Sequence, residues 1–327
     1  MPEPLLPWQQ SPWQTLKRYQ TLARLPQALL LTGDAYLNML SLGQTFGQSL
    51  LCQQPSSDFF ACGHCPACTL FTRGHHPDWH DITPPADKNV IAIDQIRSLL
   101  PTLNLKPQHG RFRLVVLHPA DTLNLAAANA FLKYLEEPSA RTVIVLISES
   151  PATLPLTIRS RCQRLNCAKP SPSQAALWLR QQGVSDALTT LLAMADGHPR
   201  QALYYAEKQQ HLVYINAFKH WCDIANGQRH PVDVAASWQT QPVHECLAWL
   251  TSWCEDLLRC QLGVAPNYYR HPHWAPALQA LTKSLQLTSL FQWRDHLQNA
   301  RQEAKTSLNA LLLLEGCLLA WQQLFTH

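Results

Sequence analysis

The sequence predicts an α/β domain built on a mainly parallel sheet, followed by an all-helical C-terminal portion. Three observations carry this expectation. Short apolar runs at Ala28 to Leu31, Phe112 to Leu117 and Thr142 to Ile147 are each followed by a helical pattern, the alternation of buried parallel strands with crossover helices. The character of the chain changes near residue 169, where Lys169-Pro170-Ser171-Pro172-Ser173 reads as a linker or turn leading into a small helical unit that ends near residue 209. Beyond it the strand signal is absent, and the stretches His211 to Ala225, Val243 to Leu262, Ser289 to Lys305 and Ser307 to Phe325 carry helical periodicity.

Composition sets the outer limits. A chain of 327 residues exceeds the usual size of one core, so two or three domains are expected. With 46% hydrophobic and 15% charged residues, a wholly disordered chain is excluded. The formal charge of +4 is too weak a bias to argue nucleic-acid binding by itself. The proline-rich, polar opening from Met1 to Pro12 has no secretory pattern, and no apolar run reaches membrane-spanning length, so a cytoplasmic location is expected. In that reducing compartment Cys162, Cys167, Cys222, Cys246, Cys254, Cys260 and Cys317 are most simply packing residues.

The first predicted strand, Leu29-Leu30-Leu31-Thr32-Gly33, enters a helix as a phosphate-binding loop would. Such a loop needs glycines for close backbone approach, a lysine for charge and a hydroxyl for magnesium. Here Gly33 is followed by Asp34-Ala35-Tyr36-Leu37-Asn38-Met39-Leu40, so Asn38 replaces the second glycine, Met39 the lysine and Leu40 the hydroxyl. Every phosphate-directed side chain is missing, and Asp34 would repel a triphosphate.

After the first helix Cys52, Cys62, Cys65 and Cys68 follow the pattern C-x9-C-x2-C-x2-C. Thiolates two residues apart can grip one tetrahedral ion, and four sulfurs leave no open position, so the pattern predicts a structural zinc site over about 52–68. A coincidental set of buried thiols is the alternative, and His64 could replace one ligand. His75, His76, His80 and Asp81 could mimic a second cluster, although His76-Pro77-Asp78 reads better as a turn.

The strand Arg113-Leu114-Val115-Val116-Leu117 would end in an acid pair in an ATPase. It ends in His118-Pro119-Ala120 instead, and Asp121 is expected as an N-cap or first-turn residue of the helix that stops before Pro138. Glu136 and Glu137 close that helix and are read as structural, with no nucleophile beside them to suggest acid-base work. A basic turn, Arg159 to Arg164, follows the next strand; on its residues alone it is a solvated loop.

Together these segments resemble the bacterial clamp-loader subunits of the AAA+ class. The resemblance rests on Asn129-Ala130-Phe131-Leu132-Lys133-Tyr134-Leu135-Glu136-Glu137-Pro138, on Ile158-Arg159-Ser160-Arg161-Cys162, on the cysteine module and on His76-Pro77-Asp78. It spans residues 20 to 165, with helical character and Gly197-His198-Pro199-Arg200-Gln201-Ala202-Leu203 carrying it further. It implies an AAA+, P-loop-NTPase-like sheet domain with a zinc module over 1–168, a small helical lid over 169–209, and a helical collar for oligomerisation over 210–327. The ruined loop and absent acids resemble a member of the family that binds no nucleotide, unlike the ATP-hydrolysing gamma and tau subunits.

The implied role is a structural member of a pentamer that places the sliding clamp on primed DNA, within a replicative DNA polymerase holoenzyme and away from membranes. Its implied partners are gamma/tau ATPase subunits and the delta subunit. Arg161 would be an arginine finger reaching a neighbour's nucleotide, where a guanidinium suits the charge on a transferring phosphoryl group. Ser160 and Cys162 would fix its backbone and packing. Arg200 stands where the family's second nucleotide sensor lies and is read as a remnant or surface pairing residue. Two other classes stay open: an ATP-hydrolysing gamma/tau-type subunit with an unorthodox loop, and a zinc-containing DNA-binding protein. The tryptophans Trp221, Trp238, Trp249, Trp253, Trp293 and Trp321 are read as packing and interface residues, an aromatic platform for DNA being the alternative.

Overall fold

In the computed structural model, residues 4–22, 24–103, 105–109, 111–139, 141–304 and 309–325 are described. Two compact units meet at residues 174 and 175.

The first unit opens with α1 (Gln10–Thr21), β1 (Ala28–Thr32), α2 (Met39–Leu51), α3 (Pro66–Thr72), β2 (Trp79–Ile82), α4 (Ile93–Leu103) and β3 (Arg113–Leu117). It continues with α5 (Leu125–Glu136), β4 (Thr142–Ser148), the one-turn α6 (Leu156–Arg159) and β5 (Gln163–Asn166). The five strands form one parallel sheet in the order β2-β3-β4-β1-β5. The three apolar runs of the sequence are β1, β3 and β4, and every residue of these strands is buried because both faces are covered. The edges are β2, which follows His76-Pro77-Asp78, and β5, of whose four residues only Leu165 is buried. An edge strand half in solvent needs no apolar run, which is why β5 has no signature in the sequence.

Glycine brings α2 onto the sheet. Gly43 and Gly47 are one turn apart, and a Cβ on Gly47 would come within 2.3 Å of both Leu114 and Trp79. On α5 the cap is Asn124, whose side chain accepts the Ala127 N–H at 2.7 Å. Asp121, expected at that cap, sits instead in the first turn of a short 3-10 helix, and its carboxylate accepts the Glu149 N–H at 3.2 Å. From α5 the motif residues Phe131, Tyr134 and Leu135 pack into a core with Ile96, Val115 and Ile144.

Helix α7 (Pro172–Gln181) crosses the division, and the second unit continues as α8 (Leu188–Met194), α9 (Pro199–Glu207), α10 (Gln210–Ala225) and α11 (Pro231–Trp238). It ends with α12 (Val243–Gln261), α13 (Ala275–Thr282), α14 (Leu287–Glu303) and α15 (Ala310–Gln323). Among the described residues this unit contains no strand. Of the predicted helical stretches, the ends at Lys305 and Ser307 lie outside the described residues.

All six tryptophans named above are buried, and Trp221 stacks on Trp321 at 4.4 Å between ring centroids. They serve the core of their own unit, so none offers a face to a nucleobase. Beside them Asp256, His271 and Tyr214 form a buried chain, with 2.8 Å from Asp256 Oδ2 to His271 Nδ1 and 2.6 Å from His271 Nε2 to the Tyr214 hydroxyl. Asp256 also accepts the Arg270 and His271 N–H groups, which tie the loop before α13 to α12.

Candidate functional site

The four predicted cysteines converge. Their sulfurs all lie within 4.8 Å of one another, and Cys52 Sγ is 3.6 Å from Cys62 Sγ and 3.9 Å from Cys65 Sγ. Tetrahedral Zn–S bonds of about 2.3 Å place sulfurs about 3.8 Å apart, so the donor set has the size and softness for zinc. All four thiols are free. Backbone N–H groups aim at them: Gln54 and Cys62 donate to Cys52 Sγ, Cys65 to Cys62 Sγ, and Cys68 to Cys65 Sγ. Burial works to raise the Cys65 pKa, but the N–H groups of Cys68 and Gln53 and the neighbouring thiols outweigh it and bring it down to about 6. The His64 ring lies outside the cluster, its Nδ1 2.9 Å from the Cys62 carbonyl oxygen. Trp13 of α1 stacks on Phe60 at 4.7 Å, and Lys17 pairs with Asp58 at 2.8 Å, so the module is pinned to the body of its unit.

The loop after β1 is occupied by its own chain. Asn38 takes the left-handed conformation, with φ of 58°, and Met39 begins α2 with its side chain buried. The Leu37 carbonyl accepts from Trp8 Nε1 at 3.2 Å and from Gln9 Nε2 at 3.0 Å, and Gln9 also reaches the Asn38 carbonyl at 2.9 Å. Gly33 packs so closely that an added Cβ would lie 2.7 Å from the Cys167 carbonyl oxygen. Asp34 pairs with Lys169 at 3.3 Å. Leu40, partly buried, is the second residue of α2 and contributes no hydroxyl.

At the end of β3, His118 and Pro119 are joined by a cis peptide bond. Burial lowers the His118 pKa, with Asp81 and Asp121 opposing, and this favours the neutral ring.

Arg161 lies in the turn between α6 and β5. Its Nη1 donates to the Thr157 carbonyl at 2.9 Å and its Nη2 to Glu136 Oε1 at 2.5 Å. Ser160 Oγ donates to the same Thr157 carbonyl at 3.1 Å. Cys162 packs against the core containing Phe131, and burial pushes its thiol up to about 11. Arg164 points elsewhere, its Nε donating to Thr32 Oγ1 at 3.2 Å. The basic turn is therefore not one uniform solvated loop.

Register places Arg161 far from its own loop. In the parallel pairing Leu29 lies opposite Gln163 and Thr32 opposite Asn166. Arg161 precedes β5, whereas Gly33 follows β1, so the two stand at opposite ends of the strands. At about 3.3 Å per residue they are separated by roughly 20 Å.

One network escaped the sequence analysis. Asp78, from the His76-Pro77-Asp78 turn, accepts the Gln108 and His109 N–H groups and pairs with Arg113 at 3.3 Å, both side chains being almost wholly buried. Arg113 also donates to the Thr102, Leu105 and Lys106 carbonyls and so ties the α4–β3 connection to the sheet edge. The His76 ring serves the turn, with Nδ1 accepting the Asp78 N–H at 3.1 Å. A charged residue opening an apolar strand, 35 positions after the acid it meets, gives no local signal.

Asp78→Ala is expected to destabilise the protein by about 3–5 kcal/mol, because Arg113 keeps its buried charge without a counter-ion. Burial alone would raise the Asp78 pKa, but the two N–H groups and Arg113 hold it below the ordinary value. The contribution is thus complete above about pH 4 and is lost as pH falls through the lowered folded value. Denaturant melts of wild type and variant at neutral and acid pH check both expectations; equal midpoints at neutral pH would refute the first.

The first unit is a β2-β3-β4-β1-β5 parallel sheet with a four-cysteine module after the first crossover helix, and the second is helical, as the resemblance to clamp-loader subunits implies. A family model described as DNA polymerase III, delta subunit, matches residues 8–171, and one for its C-terminal part matches residues 207–323. The chain belongs to the delta' subunit family of the DNA polymerase III clamp loader. It is 33% identical to the delta' subunit of Pseudomonas aeruginosa over 98% of both chains. It is 30% identical to that of Yersinia pestis over 97% of this chain and 95% of the relative. Against the Escherichia coli subunit the identity is 36%, over 79% and 78% of the two chains.

Proposed function

We propose that this chain binds no ATP itself and acts in trans, supplying Arg161 to the ATP site of a neighbouring gamma/tau subunit as the clamp is loaded on primed DNA. One observation carries the reading: Arg161 and the chain's own loop stand at opposite ends of the sheet, so its guanidinium cannot serve a nucleotide in that loop. The loop supports the same conclusion, with Met39 buried where a lysine would meet phosphate and Leu40 offering no hydroxyl for magnesium. The four cysteines hold structural zinc. Residues 169–209 form a lid and 210–327 a collar that joins gamma/tau and delta in the pentamer. The protein works in the cytoplasm; among the described residues no helix is long and apolar enough to cross a membrane.

Calorimetry tests the first half of this reading. The isolated chain is expected to give no binding heat with ATP, and binding should appear only when a gamma-type ATPase is mixed in. Stoichiometric binding by the chain alone would promote the ATPase reading in its place.

A further inference from the structure

We infer that Glu136 is the positioning residue for Arg161: it holds the guanidinium in the orientation in which it meets a neighbour's phosphate. The inference rests on the trans-acting role proposed above.

A free arginine side chain samples many rotamers, and ordering it at the moment of reaction costs rate. Here two contacts fix the plane of the guanidinium, the Thr157 carbonyl on Nη1 and Glu136 Oε1 on Nη2. Of its five N–H donors these engage two, and three are left for phosphoryl oxygens. The two contacts come from different elements, Thr157 from α6 and Glu136 from the end of α5, so the guanidinium is located relative to the body of the unit and not only to its own turn.

The placement of Glu136 is otherwise unfavourable. A carboxylate in the last turn of a helix opposes the macrodipole, and the ion pair with Arg161 offsets that cost. Glu137, the next residue, has left the helix, with φ of −130° and ψ of 65°. The side chains are 34% exposed for Arg161 and 51% for Glu136, and a pair this open adds little to folding stability. The pair borders a surface hollow lined by Gln27, Pro138, Ser160 and Gln163 as well, a polar recess open to an incoming group.

The test uses the loader reconstituted with wild-type chain, Glu136→Ala, Glu136→Gln, Arg161→Ala and the Glu136→Ala/Arg161→Ala pair, reading DNA-stimulated ATP hydrolysis and clamp loading. Glu136→Ala is expected to lose about half or more of the rate that Arg161→Ala loses, in kcat with KM for ATP unchanged. Glu136→Gln, whose amide oxygen can still accept from Nη2, should recover part of it. The double variant should be no slower than Arg161→Ala, since both act through one guanidinium. Melting temperatures of Glu136→Ala and wild type should coincide.

Full activity of Glu136→Ala alongside a slow Arg161→Ala overturns the positioning role and leaves the trans-acting arginine standing. Unchanged activity in Arg161→Ala overturns both. A further loss in the double variant, or a Glu136→Ala faster than wild type, also refutes the positioning role, the first assigning Glu136 work apart from Arg161 and the second making it a restraint.

Discussion

Replacing Arg161 by alanine should leave the chain folded and able to enter its complex while slowing hydrolysis at the ATP site it is proposed to complete by about 10³-fold or more. The side chain lies in an exposed turn, its contacts are surface hydrogen bonds, and its neighbours Ser160 and Cys162 hold the turn without it. Nothing buried is lost, so melting and assembly are unaffected. What disappears is a delocalised cation with N–H donors arranged for a trigonal phosphoryl group, which matters most where charge is spread over the transferring oxygens. The whole complex will show the share of turnover that passes through this site, in both the DNA-stimulated ATPase rate and the rate of clamp loading. Preserved rates in an intact complex would end the assignment.

Loss of one of the four proposed zinc ligands should be the other large effect. The purified chain is expected to retain about one zinc after dialysis, and Cys65→Ser to retain close to none. Three thiols and a hydroxyl form a poorer donor set, and Cys65 is the thiol that the backbone brings nearest to ionisation at neutral pH. Without the ion, the segment from Cys52 to Cys68 keeps the Trp13 and Lys17 contacts and a small cluster of buried residues but loses the link among its four sulfurs. Amide exchange should therefore rise there while the sheet stays protected, because β1, β3 and β4 are buried by the crossover helices. Metal analysis beside exchange on wild type and variant makes the comparison. Full zinc retention by Cys65→Ser would mean the ligands are wrongly assigned.

What the sequence made legible follows from where each feature keeps its information. The centre of the sheet was readable because strands buried on both faces are apolar along their middles, as in Leu114 to Leu117, with polar residues only at their ends. The cysteine module was readable because its ligands are close in sequence and only a few spacings suit one ion. Strand β5 was not, since an edge strand such as Gln163 to Asn166 is specified by its partner β1 and needs no pattern of its own. The Asp78 to Arg113 pair and the Glu136 to Arg161 pair join residues 35 and 25 positions apart, and charge alone does not say which of many carboxylates a guanidinium will meet. Asp121 was placed one element too late because the 3-10 turn that holds it leaves the cap of α5 to Asn124. The opposite ends occupied by Gly33 and Arg161 emerge only once β1 and β5 are paired in register.

The distribution of indoles gives the two units different optical identities. Of eleven tryptophans only Trp8, Trp13 and Trp79 belong to the first unit, and the remainder belong to the second, where several rings pack against each other, stacked or tilted. Ring stacks of this kind couple their electronic transitions and hold them in a fixed chiral arrangement. The near-ultraviolet circular dichroism and the intrinsic fluorescence of the chain are accordingly weighted toward its helical half, with three indoles reporting on the half that carries the cysteines and Arg161.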